Sequence, residues 1–206
     1  MFYNNKIQDI TDHLIHPGVR SQVRDLFVNS FDLSDAAARG SVIDSWISNP
    51  RSLSTIGYVD DGKVIGFTII GALGETEYET VETLLSCDRE RVRDYLMENN
   101  NGVLASPYSD DTNIDFSDRA FIAHNIIDLD SAFMKYVTVV SPEHRRKHIA
   151  SQLNYKIRSM TKQPIFSFSI EDNPMIGINE RAGYVKLVSV KPFYSDGKGA
   201  VLMVKA

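Results

Sequence analysis

The sequence predicts a mixed α/β (α+β) fold, a central sheet flanked by helices, on three observations. The first is Val137-Thr138-Val139-Val140, a β-branched run that reads as a buried strand and is closed by Ser141-Pro142. The second is the segment after it, where Ile149, Leu153, Ile157 and Met160 recur at the spacing of one helical face. The third is the strict alternation from Ile165 to Ile170, with Phe166, Phe168 and Ile170 on one face and Ser167 and Ser169 on the other. Strand, helix and strand in that order imply a right-handed parallel crossover.

Size and composition narrow the class. The 206 residues suit one domain, 1–206, carrying an insertion. An apolar fraction of 43%, with nine Tyr and ten Phe, supports a sizeable core. The net charge of −5 provides no global basic field for nucleic acid. The single cysteine, Cys87, excludes an internal disulfide and suits a reducing compartment. No apolar run reaches the ~18 residues that span a bilayer, and the first residues, Met-Phe-Tyr-Asn-Asn-Lys, have no signal-like apolar stretch. A cytoplasmic protein without a membrane partner is therefore expected, and no metal-ligand set is read.

In chain order, Lys6 to Ile10 is a candidate first strand. Pro17 opens a helix whose face carries Val19, Val23, Leu26, Phe27 and Phe31. Ser34 suits the N-cap of a second helix, with Val42, Ile43, Trp46 and Ile47, which Asn49-Pro50 ends. Ser54–Val59 and Lys63–Ile70 form a hairpin around Asp60-Asp61-Gly62. Residues 71–118 read as a helical insertion with an apolar stripe of Tyr78, Val81, Leu85, Val92 and Leu96. Between Glu75 and Glu98 it holds eight acidic and three basic residues. The plainer meaning is a solvated outer face; the functional one is an acidic lid for a cationic amine. Asn99 to Gly102 ends it, and Ser106-Pro107 and Asp110-Asp111 mark a polar loop expected to be mobile. Phe121–Ile127 is read as a strand, with His124 packed within it, and Phe133–Val140 as the central strand. Asn173 suits an N-cap, Pro174 the first helical position and Gly183 a helix stop. Tyr184–Pro192 and Val201–Lys205 close the chain as a strand pair.

Between the central strand and its helix lie Arg145, Arg146, Lys147 and His148. A helix start exposes unpaired N–H groups and the positive end of its dipole, so basic side chains in that turn suit a phosphate. Arg145-Arg146-Lys147-His148-Ile149-Ala150 resembles the Arg/Gln-x-x-Gly-x-Gly/Ala turn of the GNAT N-acetyltransferase superfamily. His148 stands where that family usually has glycine. Asn173-Pro174-Met175-Ile176, continuing to Gly183-Tyr184, resembles the family's second motif, an Asn-rich helix ending in Gly-Phe or Gly-Tyr. The order of helices, hairpin and strand–turn–helix also fits.

The resemblance implies a parallel pair, 133–140 and 165–170, split to admit coenzyme A. Acetyl-CoA would be held by Thr138, Val139, Val140, Arg145, Arg146, Lys147, His148, Ile149, Ala150 and Ser151, with Asn173 and Asn179. The activity implied is transfer of an acetyl group to a primary amine of a small molecule or peptide. The amine must lose a proton before attack, and the thioester oxygen needs a fixed donor, by resemblance the N–H of Val139 or Val140. Glu171, at the end of its strand, is the candidate base; the plainer alternative is that it complements the next helix's dipole. Many family members carry a tyrosine acid where this chain has Asn179, so Tyr194 is the candidate replacement and Tyr184 a weaker one. Trp46 and Phe31 are candidates for acceptor contact. Edge strands would allow a homodimer. The other readings are an idle coenzyme A-binding module and a nucleic-acid binder using Arg145, Arg146, Lys147 and Arg158, which the acidic balance disfavours.

Overall fold

Local sequence signals set the elements in chain order. Strand β1 is Ile7–Asp9, followed by a 3-10 turn at Thr11–Ile15, α1 at Pro17–Val28 and α2 at Ala36–Ile47. Strands β2 (Leu53–Asp60) and β3 (Lys63–Ala72) precede helices α3 (Glu75–Leu85) and α4 (Arg89–Glu98). Then come β4 (Asn113–Phe116), α5 (Asp118–Ile126), β5 (Phe133–Val140), α6 (Ile149–Met160) and β6 (Ile165–Ile170). Helix α7 (Met175–Arg181) and strands β7 (Val185–Lys191) and β8 (Ala200–Lys205) complete the chain. The computed structural model describes residues 6–30, 36–48, 53–98, 112–193 and 197–206. The expected contributions of Phe31, Ser34, Asn49-Pro50, the 99–111 loop and Tyr194 lie outside the described residues.

The chain clusters into two units, one of Met1–Ala72 and Lys135–Lys162, the other of Leu73–Met134 and Gln163–Ala206. The strands expected to flank coenzyme A, β5 and β6, fall largely in different units.

In the first unit the strand order is β1-β2-β3-β5. The β2–β3 turn needs positive φ at both central residues, and Asp61 (φ 47°) and Gly62 (φ 74°) supply it. The β2–β3 register shifts at Tyr58/Val59, which leaves Ile65 as an extra residue. Its neighbour Val64 packs in a cluster with Ile10, Val23, Phe27, Ile43, Ile47, Phe67 and Val139. Ile65 instead joins Ile56, Tyr58, Ile149 and Leu153, the cluster that seats α6. Each such side chain contributes roughly 1.5–3 kcal/mol when fully buried. Of the expected α6 stripe, Ile149, Leu153 and Ile157 are buried, whereas Met160 at the helix end is 42% exposed. Gly66 permits close packing here: a Cβ would lie 3.0 Å from Ile149 Cγ2 and 3.1 Å from the Val139 carbonyl oxygen.

In the second unit the order is β6-β8-β7-β4, with antiparallel pairs throughout. The insertion stripe is largely as expected, with Val81, Leu85, Val92 and Leu96 buried. Thr80 and Tyr95 join α3 to α4 through a 2.8 Å hydroxyl contact. Three local readings are corrected. The expected strand Phe121–Ile127 is instead the end of helix α5, which stops at Ile126, because the chain turns at Ser117 and buries only Ala120 and Ala123, leaving Phe121, Ile122 and Ile126 exposed. His124 is accordingly exposed, not packed. Residues 113–116, within the expected insertion, form β4 against β7. Among the described residues no helix is long and apolar enough to cross a membrane.

Candidate functional site

In the first unit, the end of β5 is pinned before the basic turn begins. The Ser141 N–H donates to the Ile65 carbonyl (2.9 Å), its hydroxyl meets His144 Nδ1 (2.7 Å), and the His144 N–H returns to the Ser141 carbonyl (2.9 Å). A 3-10 turn, Pro142–His144, then leads into residues 145–148, all exposed. Arg145 Nε donates to the Val140 carbonyl at 3.4 Å. Arg146 (φ 63°) and His148 (φ 59°) are both left-handed, a conformation that costs a non-glycine residue roughly 1–2 kcal/mol. His148 therefore adopts the backbone for which glycine is the usual choice. It is the N-cap of α6, and no side chain caps that start. The first-turn N–H groups of Ile149, Ala150 and Ser151 thus follow directly on a turn that carries the exposed cationic residues Arg145, Arg146 and Lys147, the chemistry of an anion site. One carboxylate opposes it: Glu143 is held below the usual carboxyl range, chiefly by its own backbone N–H, against a smaller opposing effect of burial, with Ser141, His144 and Lys147 assisting.

The predicted β5 residues divide between the faces. Val139 is buried in the α1/α2 cluster, and Val140 packs against the α6 cluster. Tyr136 and Val137 both pack against the α1/α2 cluster. The Thr68 hydroxyl donates to the Val137 carbonyl (2.8 Å) and also meets the Thr138 hydroxyl (3.0 Å). Thr68 has one proton, so Thr138 is the donor in the second contact and offers only lone pairs elsewhere. Trp46 packs edge-on against Phe27 and tilted against Tyr136, both at 5.7 Å between centroids.

In the second unit, Glu171 follows β6. Its Oε2 lies 2.8 Å from Lys191 Nζ, and its N–H donates to the Gly199 carbonyl. Asp172 turns the chain at φ 66°. Asn173 accepts the Met175 N–H at 2.8 Å, so it caps α7 with Pro174 at the N-cap position, one residue from where the sequence put it. Asn179 is fully buried; its side-chain amide nitrogen reaches Ser169 Oγ (3.4 Å) and its main-chain carbonyl accepts from the Ala182 and Tyr184 N–H groups. It ties α7 to β6 and has no surface to offer a ligand. Ser167 and Ser169 are likewise buried. Burial pushes the Tyr184 phenol far above its ordinary value, which makes it a poor proton donor.

Sequence reasoning missed Lys135, which is 3% exposed and bonded to Asn154 Oδ1 at 3.1 Å; burial lowers its pKa to about 7. A lone charge in the run Phe133–Val140 was the available signal. A cavity of about 700 Å³ in the second unit is lined by Cys87–Glu90, Phe116 and Phe121, and by none of the predicted residues. Among the described residues no cluster of His, Cys, Asp or Glu is placed to hold a metal ion.

No protein-family model and no curated protein matches the chain. Solved structures do. A Desulfovibrio desulfuricans protein described as an acetyltransferase of the GNAT family aligns with a TM-score of 0.55 at 12% identity, over 97% of this chain and 96% of its own. An aminoglycoside 6'-N-acetyltransferase complexed with coenzyme A gives 0.59 at 11% identity, over 97% and 95%. The GNAT-like decarboxylase GphF, in complex with isobutyryl-CoA, gives 0.58 at 12% identity, over 98% and 99%. By these likenesses, together with its order of helices and strands, the chain has the fold of the GNAT N-acetyltransferase superfamily.

Proposed function

We propose that this protein is an acyl-CoA-dependent N-acyltransferase that moves an acetyl group to a primary amine of a small molecule or peptide. The observation that carries the reading is the start of α6: an uncapped helix N-terminus entered through two left-handed residues, Arg146 and His148, among four exposed basic side chains. That chemistry fits a diphosphate. Arg145, Arg146, Lys147 and His148, with the N–H groups of Ile149, Ala150 and Ser151, would hold it; the Val139 or Val140 N–H would serve the thioester oxygen. When bound, acetyl-CoA supplies the activated acyl group.

Glu171 takes the proton released by the amine in this reading, and Tyr194 is the proposed donor to the leaving side. An aminoglycoside 6'-N-acetyltransferase is among the similar structures, which makes cationic amines the first acceptors to try. A lid role for Glu75, Glu77 and Glu79 belongs to the same proposal. The test is calorimetric titration with coenzyme A beside thiol release from acetyl-CoA with kanamycin, spermidine and a peptide with a free N-terminus. Replacing Arg145, Arg146 and Lys147 together by alanine should weaken coenzyme A binding by about tenfold or more, with reduced salt dependence. No heat with coenzyme A would refute the proposal.

The buried Asn179 favours a second reading, an idle coenzyme A-binding module, because it occupies the position of the family's proton donor. Binding without thiol release would select it.

A further inference from the structure

Strand register brings three residues at the ends of β6, β8 and β7 into one row. Ile170 pairs with Ala200, and Ala200 with Val190, so the next positions along are Glu171, Gly199 and Lys191. Side chains on strands two apart are separated by roughly 10 Å of backbone and ordinarily do not touch. Here they do: Glu171 Oε2 lies 2.8 Å from Lys191 Nζ. Gly199 in the middle makes this possible. A Cβ at 199 would sit 2.7 Å from Oε2 and 3.1 Å from the Val190 carbonyl oxygen, so the carboxylate occupies the space a side chain would fill. The Glu171 main chain is fixed to the same residue, its N–H donating to the Gly199 carbonyl at 2.8 Å.

We propose that Gly199 and Lys191 form a cradle that sets the Glu171 carboxylate for proton transfer, with Lys191 a positioning residue acting through Glu171. This rests on the reading of Glu171 as the base. Lys191 engages Oε2, which leaves Oε1, without a partner among the described residues, to take the proton. In that transfer the substrate ammonium becomes a neutral amine and Oε1 a carboxylic acid, which returns its proton to water. The Glu171 side chain is 38% exposed and that of Lys191 57%, so the pair adds little to stability, and solvent can reach it. The hydrogen bond and charge of Glu171 raise the Lys191 pKa, as a standing ion pair requires.

The test measures thiol release from acetyl-CoA, with water, kanamycin, spermidine and an N-terminal alanine peptide as acceptors, alongside coenzyme A affinity. Glu171→Gln, Lys191→Met and Gly199→Ala should each lower kcat/KM by about tenfold or more while coenzyme A affinity stays within about twofold. In the Glu171→Gln background, either second change should cost less than about twofold more, since both act through that carboxylate. Lys191→Arg should restore most of the rate. Full activity in Lys191→Met, or losses that multiply with Glu171→Gln, would overturn the cradle while leaving the base in place. Glu171→Gln as fast as the parent would overturn the base and the cradle together. No thiol release with any acceptor would overturn both along with the transferase reading.

Discussion

Lys135 Nζ lies 3.1 Å from Asn154 Oδ1, and both side chains are buried. An ammonium in such a place loses its hydration, and its pKa falls from 10.5 to about 7. Between those values the unfolded chain binds a proton that the folded chain does not. Stability should therefore rise with pH from about 7 to about 10, by about 1.4 kcal/mol per unit at most, and be level in this respect below 7. Lys135→Met should abolish the slope and gain on the order of 2 kcal/mol at pH 7, net of the bond lost by Asn154. Urea unfolding between pH 6 and 10 measures both. An unchanged slope in the variant would contradict the assignment.

His148 stands in the left-handed region at φ 59°. His148→Gly should raise unfolding free energy by about 0.5–1 kcal/mol, and His148→Val should lower it by more than that, because a β-branched side chain is least tolerant of positive φ. Thermal and urea unfolding of the two variants decide the matter; equal stabilities would show that the turn relaxes.

Glu143 is the one carboxylate in the basic turn, and its depressed pKa keeps it ionised down to pH values below the usual carboxyl range. Glu143→Gln should tighten coenzyme A binding by about threefold at low salt, with the gain fading as screening increases. Calorimetry at two ionic strengths reads this directly. A weaker complex would place the phosphates elsewhere.

Asn179 has no exposed surface and holds α7 to β6 through Ser169. Asn179→Tyr, which would recreate the family's usual residue, should destabilise by about 1–3 kcal/mol through overpacking and leave thiol release no faster. A faster variant of parental stability would show that this position reaches the reaction after all.

Much of the architecture was legible because periodicity and punctuation agreed. The β-branched run before Ser141-Pro142, the α6 stripe and the Asp61-Gly62 turn each specify their own geometry, and each stands where expected. The segment from Phe121 to Ile127 was not legible. Its large apolar residues face outward and its alanines inward, so hydrophobic pattern pointed to the wrong period while the start at Ser117-Asp118 carried the better signal. Strand β4 escaped notice because four residues give too short an alternation to stand out.

By itself the sequence determined the basic turn, the helix behind it and the short capped helix near the end, since these follow from residues within a few positions of each other. Only tertiary structure decided which polar groups are spent inside the protein. Asn179 and Ser169 bond to each other, Thr138 gives its proton to Thr68, and Lys135 is enclosed with Asn154. It also decided that Glu171 and Lys191 meet across Gly199. Those pairings join residues 10 to 70 positions apart, and what brings them together is strand register and helix packing, which no local pattern encodes.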